Sequence, residues 1–405
     1  MTDGAAGGVE GGLNIRVVVQ GGVMTAVDVH SNRPVKLCAV LVGRDVDAAM
    51  ALLPRLFGVC RIAQAVAGLT AVEAALGIVL ASPQLAARRF LVAAESLEQT
   101  AWRLLLDWPR CVGASPALDT LKRLRQLLFV LPRKLFPDLA WNRVGGARLA
   151  PARADLAAML DQLQHEIHQV VCGDATRNGC PLTERQTFER WLRHGSMSAA
   201  LTLRCLCEQG LADFGRSTVE PLPAFDLAVL ERRMAAADGY SFCARPDLDG
   251  AVHETGALAR LWRHPLIASL RADHGNGLLA RWAARWVEMD GLLAELHAQF
   301  ALLEEHPGVS MEQIGTGIGL GLVESARGCL CHRVVAAAGR VTDYKILAPT
   351  EWNFHPEGPL TRGLLGARVA EAGAPPVRRA VALLAAALDP CVGFELAVAE
   401  SCTAM

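Results

Sequence analysis

Two cysteines in this 405-residue chain stand where a sulfur can serve as a ligand, Cys60 and Cys391. Cys60 closes the run Arg55-Leu56-Phe57-Gly58-Val59-Cys60 and opens a long Leu/Ala-rich stretch with helical spacing. Cys391 closes Asp389-Pro390-Cys391, just beyond the last such stretch. A thiol at a helix N-terminus faces the positive end of the dipole, so a lowered pKa is expected of Cys60, the better of the two candidates. Most of the other cysteines read as small buried apolar residues. The chain has no CxxC pair and no CxxC…HxxxH pattern, which speaks against a structural zinc site. Cys329 and Cys331, followed by His332, share a face if that segment is a strand, whereas Cys205 and Cys207 diverge on a helix. Core packing is the preferred reading of both pairs.

Composition narrows the classes. Forty basic residues against 41 acidic ones leave a net charge of −1, which gives no reason to expect nucleic acid or an anionic membrane as the main partner. The N-terminal MTDGAAGGVEGG has no basic start and no apolar core, so no signal peptide is expected, and a reducing cytoplasm is the expected location. The most apolar stretch, Ala65 to Ser82, is interrupted by Glu73 and reads as a buried helix. The run Gly315-Thr316-Gly317-Ile318-Gly319-Leu320-Gly321 lacks the strand–turn–helix context and the downstream acid of a dinucleotide loop.

The elements that must position these residues follow from periodicity. Residues 1–12 are Gly-rich and read as loose. Leu13 to Val29 alternates around Gln20-Gly21-Gly22, which predicts a hairpin of two antiparallel strands, with a short extended segment at Leu37 to Leu41. Helical spacing covers Val46 to Leu53, Cys60 to Leu80, Gln84 to Asp107, Ser115 to Phe129, Ala154 to Val171, Glu184 to Arg193, Ala199 to Gln209, Leu227 to Ala237, Ala257 to Trp262 and Gly277 to Glu304. Val334 to Leu347 predicts a second hairpin about Ala338-Gly339, Ala348-Pro349-Thr350 a turn, and Val377 to Leu388 a last helix that Asp389-Pro390 ends. The fold class is mainly α with small β-elements (α+β). Residues 1–45 form the N-terminal hairpin region, 46–310 a helical bundle and 311–405 a C-terminal segment completing the site, in one integrated domain whose two ends converge.

Five ordered segments resemble the large subunit of nickel–iron hydrogenases, and most closely its degenerate HupK/HoxV-type relatives in hydrogenase maturation. The family signature R-x-C-G-x-C-x-x-x-H is similar to residues 55–64, with Phe57 for the first cysteine and Gln64 for the histidine. D-P-C-x-x-C-x-x-H is similar to residues 389–397, with Phe394 for the second cysteine and Ala397 for the histidine. Val9-Glu10-Gly11-Gly12-Leu13-Asn14-Ile15 resembles I-E-G-H-L-x-I, and Glu324-Ser325-Ala326-Arg327-Gly328 resembles E-A-P-R-G. Gly339-Arg340-Val341 through Pro349-Thr350-Glu351-Trp352-Asn353 follows G-x-I…Y-x-x-x-x-P-[ST]-T-W-N.

The resemblance implies a hydrogenase-large-subunit-like helical bundle. By correspondence Cys60 takes a bridging position and Cys391 a terminal nickel position, so the four-thiolate nickel centre is lost, and neither nickel nor hydrogen cleavage is expected. Iron as Fe(CN)2(CO) already carries three ligands, and two soft thiolates bring it to five. Arg327, Pro349 and Thr350 correspond to the residues that surround the diatomic ligands, and a guanidinium and a hydroxyl suit cyanide as hydrogen-bond donors. Arg327 paired with Glu324 or Asp343, and Thr350 bonding its own turn, are the plainer alternatives. Glu10 corresponds to a proton-relay glutamate and reads here as a relic, a surface or capping carboxylate. The reading is a non-catalytic scaffold that holds the iron group transiently, with maturation chaperones and the large-subunit precursor as implied partners. A metal-free adaptor for that precursor is the alternative. A residual redox enzyme ranks third, and the quinone-reductase-type branch is disfavoured because such chains drop both cysteine motifs. With Ala397 in place of the C-terminal histidine, no maturation cleavage is expected.

Overall fold

Alternation and turn chemistry at the N-terminus produce a hairpin, β1 (Leu13–Gln20) and β2 (Val23–Ser31), whose turn is Gly21-Gly22 with both residues at positive φ. This is seen in a computed structural model, which describes residues 10–111, 113–169, 173, 183–308, 317–369 and 373–400. The loose reading of residues 1–9, the Val9 match, the helix end at Val171, Cys172, Cys180, Cys402, the Gly315-Thr316 pair and the boundary at 310/311 lie outside those residues. Leu13, Ile15 and Val17 bury one face of β1. β1 also pairs in parallel with β6 (Phe394–Glu400), giving a sheet ordered β2-β1-β6. That strand, unread in the sequence, ties the two ends of the chain together and carries Ala397 opposite Arg16.

The second sheet, β3 (Ile318–Ser325), β4 (Gly328–Ala337) and β5 (Arg340–Leu347), is an antiparallel meander in that order. The hairpin about Ala338-Gly339 is present, but β4 begins six residues before Val334. β3 is the Gly-rich run. An added Cβ at Gly319 would lie 2.0 Å from the carbonyl oxygen of Ala71, and one at Gly321 2.0 Å from that of Ala67. These glycines let the strand lie directly on a helix, which is the physical reason for the run.

That helix is α2 (Arg61–Leu76), between α1 (Val46–Leu56) and α3 (Ser82–Trp102). Ala67, Ala71 and Ala75 form its small-residue row, spaced one turn apart and buried. Glu73, the charge in the apolar stretch, is matched by Arg88 of α3 in two contacts of 2.6 and 2.7 Å, and it accepts from Gly145 N at 2.9 Å. A buried carboxylate is tolerated there because it is fully paired. The helix read through to Asp107 changes to a π-turn over Arg103–Asp107. Such turns re-aim side chains, and this one carries Arg103 toward the C-terminal motif.

Several of the remaining helices pack against α4 (Leu278–Ala301), whose Trp282 and Trp286 stack on Trp108 and Trp191 at 4.4 and 4.1 Å between ring centroids. α5 (Ala374–Leu388) ends at Asp389, whose left-handed conformation (φ 52°) breaks the helix. Two short segments differ from expectation. Leu37–Leu41 is a 3-10 helix, closed by Leu37 N and Ala39 N on the carbonyls of Pro34 and Lys36, and is not extended. Pro349–Asn353 is a short helix and not a bare turn, because Pro349 at its start fixes a helical φ. Among the described residues no helix is long and apolar enough to cross a membrane.

Candidate cofactor-cradling site

Cys60 is the N-cap of α2 and Cys391 sits in the bend between α5 and β6. The folding of β6 onto β1 and of α2 onto the meander brings them together. A negative charge on Cys391 raises the pKa of Cys60, and both sulfurs act on the Arg33 guanidinium. Thr350 Oγ1 donates to Cys391 Sγ at 3.2 Å and accepts from Cys391 N at 3.3 Å. The hydroxyl therefore binds the second cysteine and does not close its own turn.

Cys60 is 8% exposed and packs with Ala63, Ala67, Leu330 and Ala348. Burial pushes its thiol up to about 12, with the charges on Cys391 and Glu95 adding to the rise, while Arg327 and a hydrogen bond from Gln64 oppose it. The expected dipole-lowered thiol is thus corrected: removal from water outweighs the helix terminus. The terminus itself is already taken, since Glu95 of α3 accepts from Ile62 N and Ala63 N at 2.8 and 2.9 Å. Burial lifts the Glu95 carboxyl to about 7, those two amide bonds holding it lower than burial alone would.

Arg327 is buried and pairs neither with Glu324, which meets Arg260, nor with Asp343, which meets Arg333 and Lys345. Its Nη1 donates to Gln99 Oε1, and its Nη2 lies 3.6 Å from Asp389 Oδ1. Asp389 gathers Arg103 at 2.6 Å and Arg285 at 3.1 Å as well. Burial alone would raise its pKa; Arg103, Arg327 and Arg285 together outweigh that and hold the carboxyl well below the usual range. Asp389 is therefore the clamp that aims the Arg327 guanidinium. Arg327 Nε has no hydrogen-bond partner among the described residues.

Arg33, which no motif flagged, approaches the sulfurs as a second guanidinium. Its Nη1 lies 2.9 Å from Glu351 Oε1, while its buried Nε has no partner among the described residues. Burial would lower its pKa, but the charges of Cys391, Glu351, Cys60 and Glu10 reverse the shift. Glu10 accepts from Gly58 N at 2.6 Å, so it caps the loop ahead of Cys60, in line with the capping alternative. Phe57 is buried against the cluster of Met50, Leu53 and Tyr344, and Phe394 opens β6. Pro349 and Thr350 are buried, and Asn353 donates to the carbonyls of Thr255 and Leu388, joining their helix to the end of α5.

Cys331 packs with Leu230, Met234 and Trp352, and burial raises the pKa of both Cys329 and Cys331, as befits core thiols. Among the described residues no group of three or more His, Cys, Asp or Glu converges as a metal site. The cradle thus offers two sulfurs, two orphaned guanidinium N–H donors and an apolar wall. A cleft of about 1160 Å³, lined in part by Gly58, Val59, Gln99, Arg103 and Arg327, opens beside it.

This arrangement has the architecture of a nickel–iron hydrogenase large subunit. A profile for nickel-dependent hydrogenase matches residues 215–394. The nickel–iron–selenium hydrogenase of D. vulgaris Hildenborough superposes with a TM-score of 0.68 at 17% identity, covering 95% of this chain and 96% of that one. The chain is also 31% identical to the hydrogenase expression/formation protein HupK of Azotobacter vinelandii, over 96% of this chain and 99% of that protein. It is 31% identical to HupK of Rhizobium leguminosarum over 97% and 98%, and to HoxV of Cupriavidus necator over 92% and 93%. The chain belongs to the HupK/HoxV family of hydrogenase expression/formation proteins.

Proposed function

We propose that this protein is a non-catalytic scaffold that holds the Fe(CN)2(CO) group between Cys60 and Cys391 before the group passes to a hydrogenase large subunit. The observation that carries the reading is the pair of sulfurs flanked by buried guanidinium nitrogens that lack partners, on Arg33 and Arg327. Unsatisfied buried donors are costly, and a cyanide nitrogen is an acceptor of the size and charge to satisfy them. Two thiolates are too few for a bare ion but bring an iron that arrives with three ligands to five. Leu330, Ala348 and Ala63 supply the apolar surface a carbonyl ligand needs. Thr350, whose hydroxyl donates to Cys391 Sγ, would orient that sulfur, or turn the same proton to a cyanide once the sulfur is bound to iron. Nickel has no place in this scheme, since Phe57 and Phe394 occupy two of the four sulfur positions.

Purification of the native protein from a hydrogenase-maturing strain, followed by infrared spectroscopy, tests the reading. Absorption by metal-bound cyanide and carbonyl is expected in the wild type and absent from Cys60→Ser and Cys391→Ser, which also stop maturation. A wild type without such bands, or serine variants that still support maturation, would favour a metal-free adaptor that grips the precursor.

A further inference from the structure

Cys60, Gln64 and Gly68 recur every four residues at the N-cap and first turns of α2, so they stand in one row along the helix. The row faces two strands of the meander. β4 and β5 pair His332 with Ile346 and Val334 with Tyr344, which puts His332 and Tyr344 on one face as diagonal neighbours. His332 Nδ1 lies 2.7 Å from the Tyr344 hydroxyl, and His332 Nε2 lies 2.8 Å from Gln64 Oε1. Gln64 Nε2 then reaches Cys60 Sγ at 3.6 Å. Gly68 leaves the space the tyrosine needs, since a Cβ there would come 2.6 Å from the hydroxyl oxygen. All four side chains are buried, His332 completely.

The orientation of the Gln64 amide, oxygen toward His332 and NH2 toward Cys60, sets the polarity of this chain. His332 is neutral, because burial pushes its pKa down to about 3, so one ring nitrogen carries a proton and the other a lone pair. Nε2 faces an amide oxygen and must be the N–H. Nδ1 is then bare and accepts from the tyrosine hydroxyl. With its oxygen held by His332, the Gln64 amide has only its NH2 to present to the sulfur. The reverse polarity needs the amide turned over, a proton on Nδ1 and an S–H donor at Cys60.

We infer that Tyr344, His332 and Gln64 form a positioning relay that holds an N–H donor against the Cys60 sulfur and so tempers the electron density that sulfur gives to a bound metal. The relay itself stands on the geometry; its effect on iron rests on the function proposed above. None of the three residues needs to touch the cargo.

Two measurements test it. In the full chain with ¹⁵N-labelled histidine, the ring signals of His332, assigned by loss in His332→Gln, are expected to show one neutral tautomer with the proton on Nε2. Tyr344→Phe, which removes a single hydroxyl, is expected to convert this into a mixture of tautomers with the fold intact. A wild-type proton on Nδ1, or an unchanged tautomer in Tyr344→Phe, overturns the relay. In protein isolated with the iron group, Gln64→Leu is expected to move the carbonyl band to lower wavenumber, and Tyr344→Phe to move it the same way by less. Wild-type bands that stay in place in Gln64→Leu overturn the inference while leaving the scaffold reading intact. A wild type without bands sinks the scaffold reading instead, and the ring tautomer then decides the relay alone.

Discussion

Asp389→Asn is the sharpest perturbation of the cradle. It changes no volume and removes one charge from the point where Arg103, Arg285 and Arg327 meet. The Asp389 side chain is 1% exposed and those of Arg285 and Arg327 4% each, so neither of these arginines can turn to water. Arg103, at 28% exposure and with Asp107 2.5 Å away, can recover part of its pairing. Breaking a buried pair by removing one partner costs roughly 3–5 kcal/mol, and the freedom of Arg103 argues for the lower end. At ~3 kcal/mol the unfolded fraction rises about a hundredfold, a large share of a typical total of ~5–15 kcal/mol. Urea titration should show a lower midpoint at unchanged slope. The acid limb should change as well. The native pKa of Asp389 lies below its unfolded value, so its contribution is present in full above about pH 4 and fades as pH falls further; the asparagine variant lacks that loss. A midpoint shift worth less than about 1 kcal/mol, with the acid limb unaltered, would refute the clamp.

Gly321→Ala should cost ~1–3 kcal/mol or more, because its Cβ would meet the Ala67 carbonyl oxygen at 2.0 Å with backbone on both sides; thermal unfolding measures it. Glu95 gives a pH dependence of the opposite sign to Asp389. Its native pKa of about 7 exceeds its unfolded value, so stability is full at acid pH and falls by ~3 kcal/mol as pH rises through 7, a slope that Glu95→Gln should abolish in denaturation series. The intact mass of the native protein should include the residues beyond Ala397, which lies inside β6 and pairs with Arg16 of β1; a species ending at Ala397 would contradict this. Loading of the iron group should weaken as pH falls, since the buried Cys60 thiol must lose its proton to bind; loading that ignores pH, followed by the carbonyl band, would count against Cys60 as a ligand.

What the sequence made legible were local periods and spaced motifs. The hairpin at Gly21-Gly22 and the α1 and α2 helices are written in alternation, glycine and Leu/Ala spacing. The cysteine motifs and Arg327 stand in recognisable runs. β6 was invisible because a short edge strand that pairs in parallel with β1 depends on a partner nearly 400 residues away, and its own half-buried pattern is weak. Arg33 and Glu95 belong to no motif, and their role arises only when three distant segments close around Cys60. Gly319 and Gly321 could be rejected as a nucleotide loop from context, yet their purpose needed the helix against which they lie. The pKa of Cys60 was misjudged for a related reason: the dipole is a local property of α2, whereas the burial that outweighs it is supplied by β4 and the segment leading to Pro349.

If the proposed function holds, that burial bears on how the cargo would be released. A group held by Cys60 cannot leave a bare thiolate in an apolar wall, where the charged form is heavily penalised. Departure therefore has to return a proton to the sulfur. Exchange with an acceptor thiol would do so without net proton flow: the acceptor S–H bond and the Cys60 sulfur–iron bond would break, and an acceptor sulfur–iron bond and a Cys60 S–H bond would form. Burial, which lifts the Cys60 thiol to about 12, would favour the protonated sulfur left behind by such an exchange. Under the proposed function, burial that favours the protonated sulfur and the Gln64 N–H held against it would both work against the sulfur–iron bond that release must break.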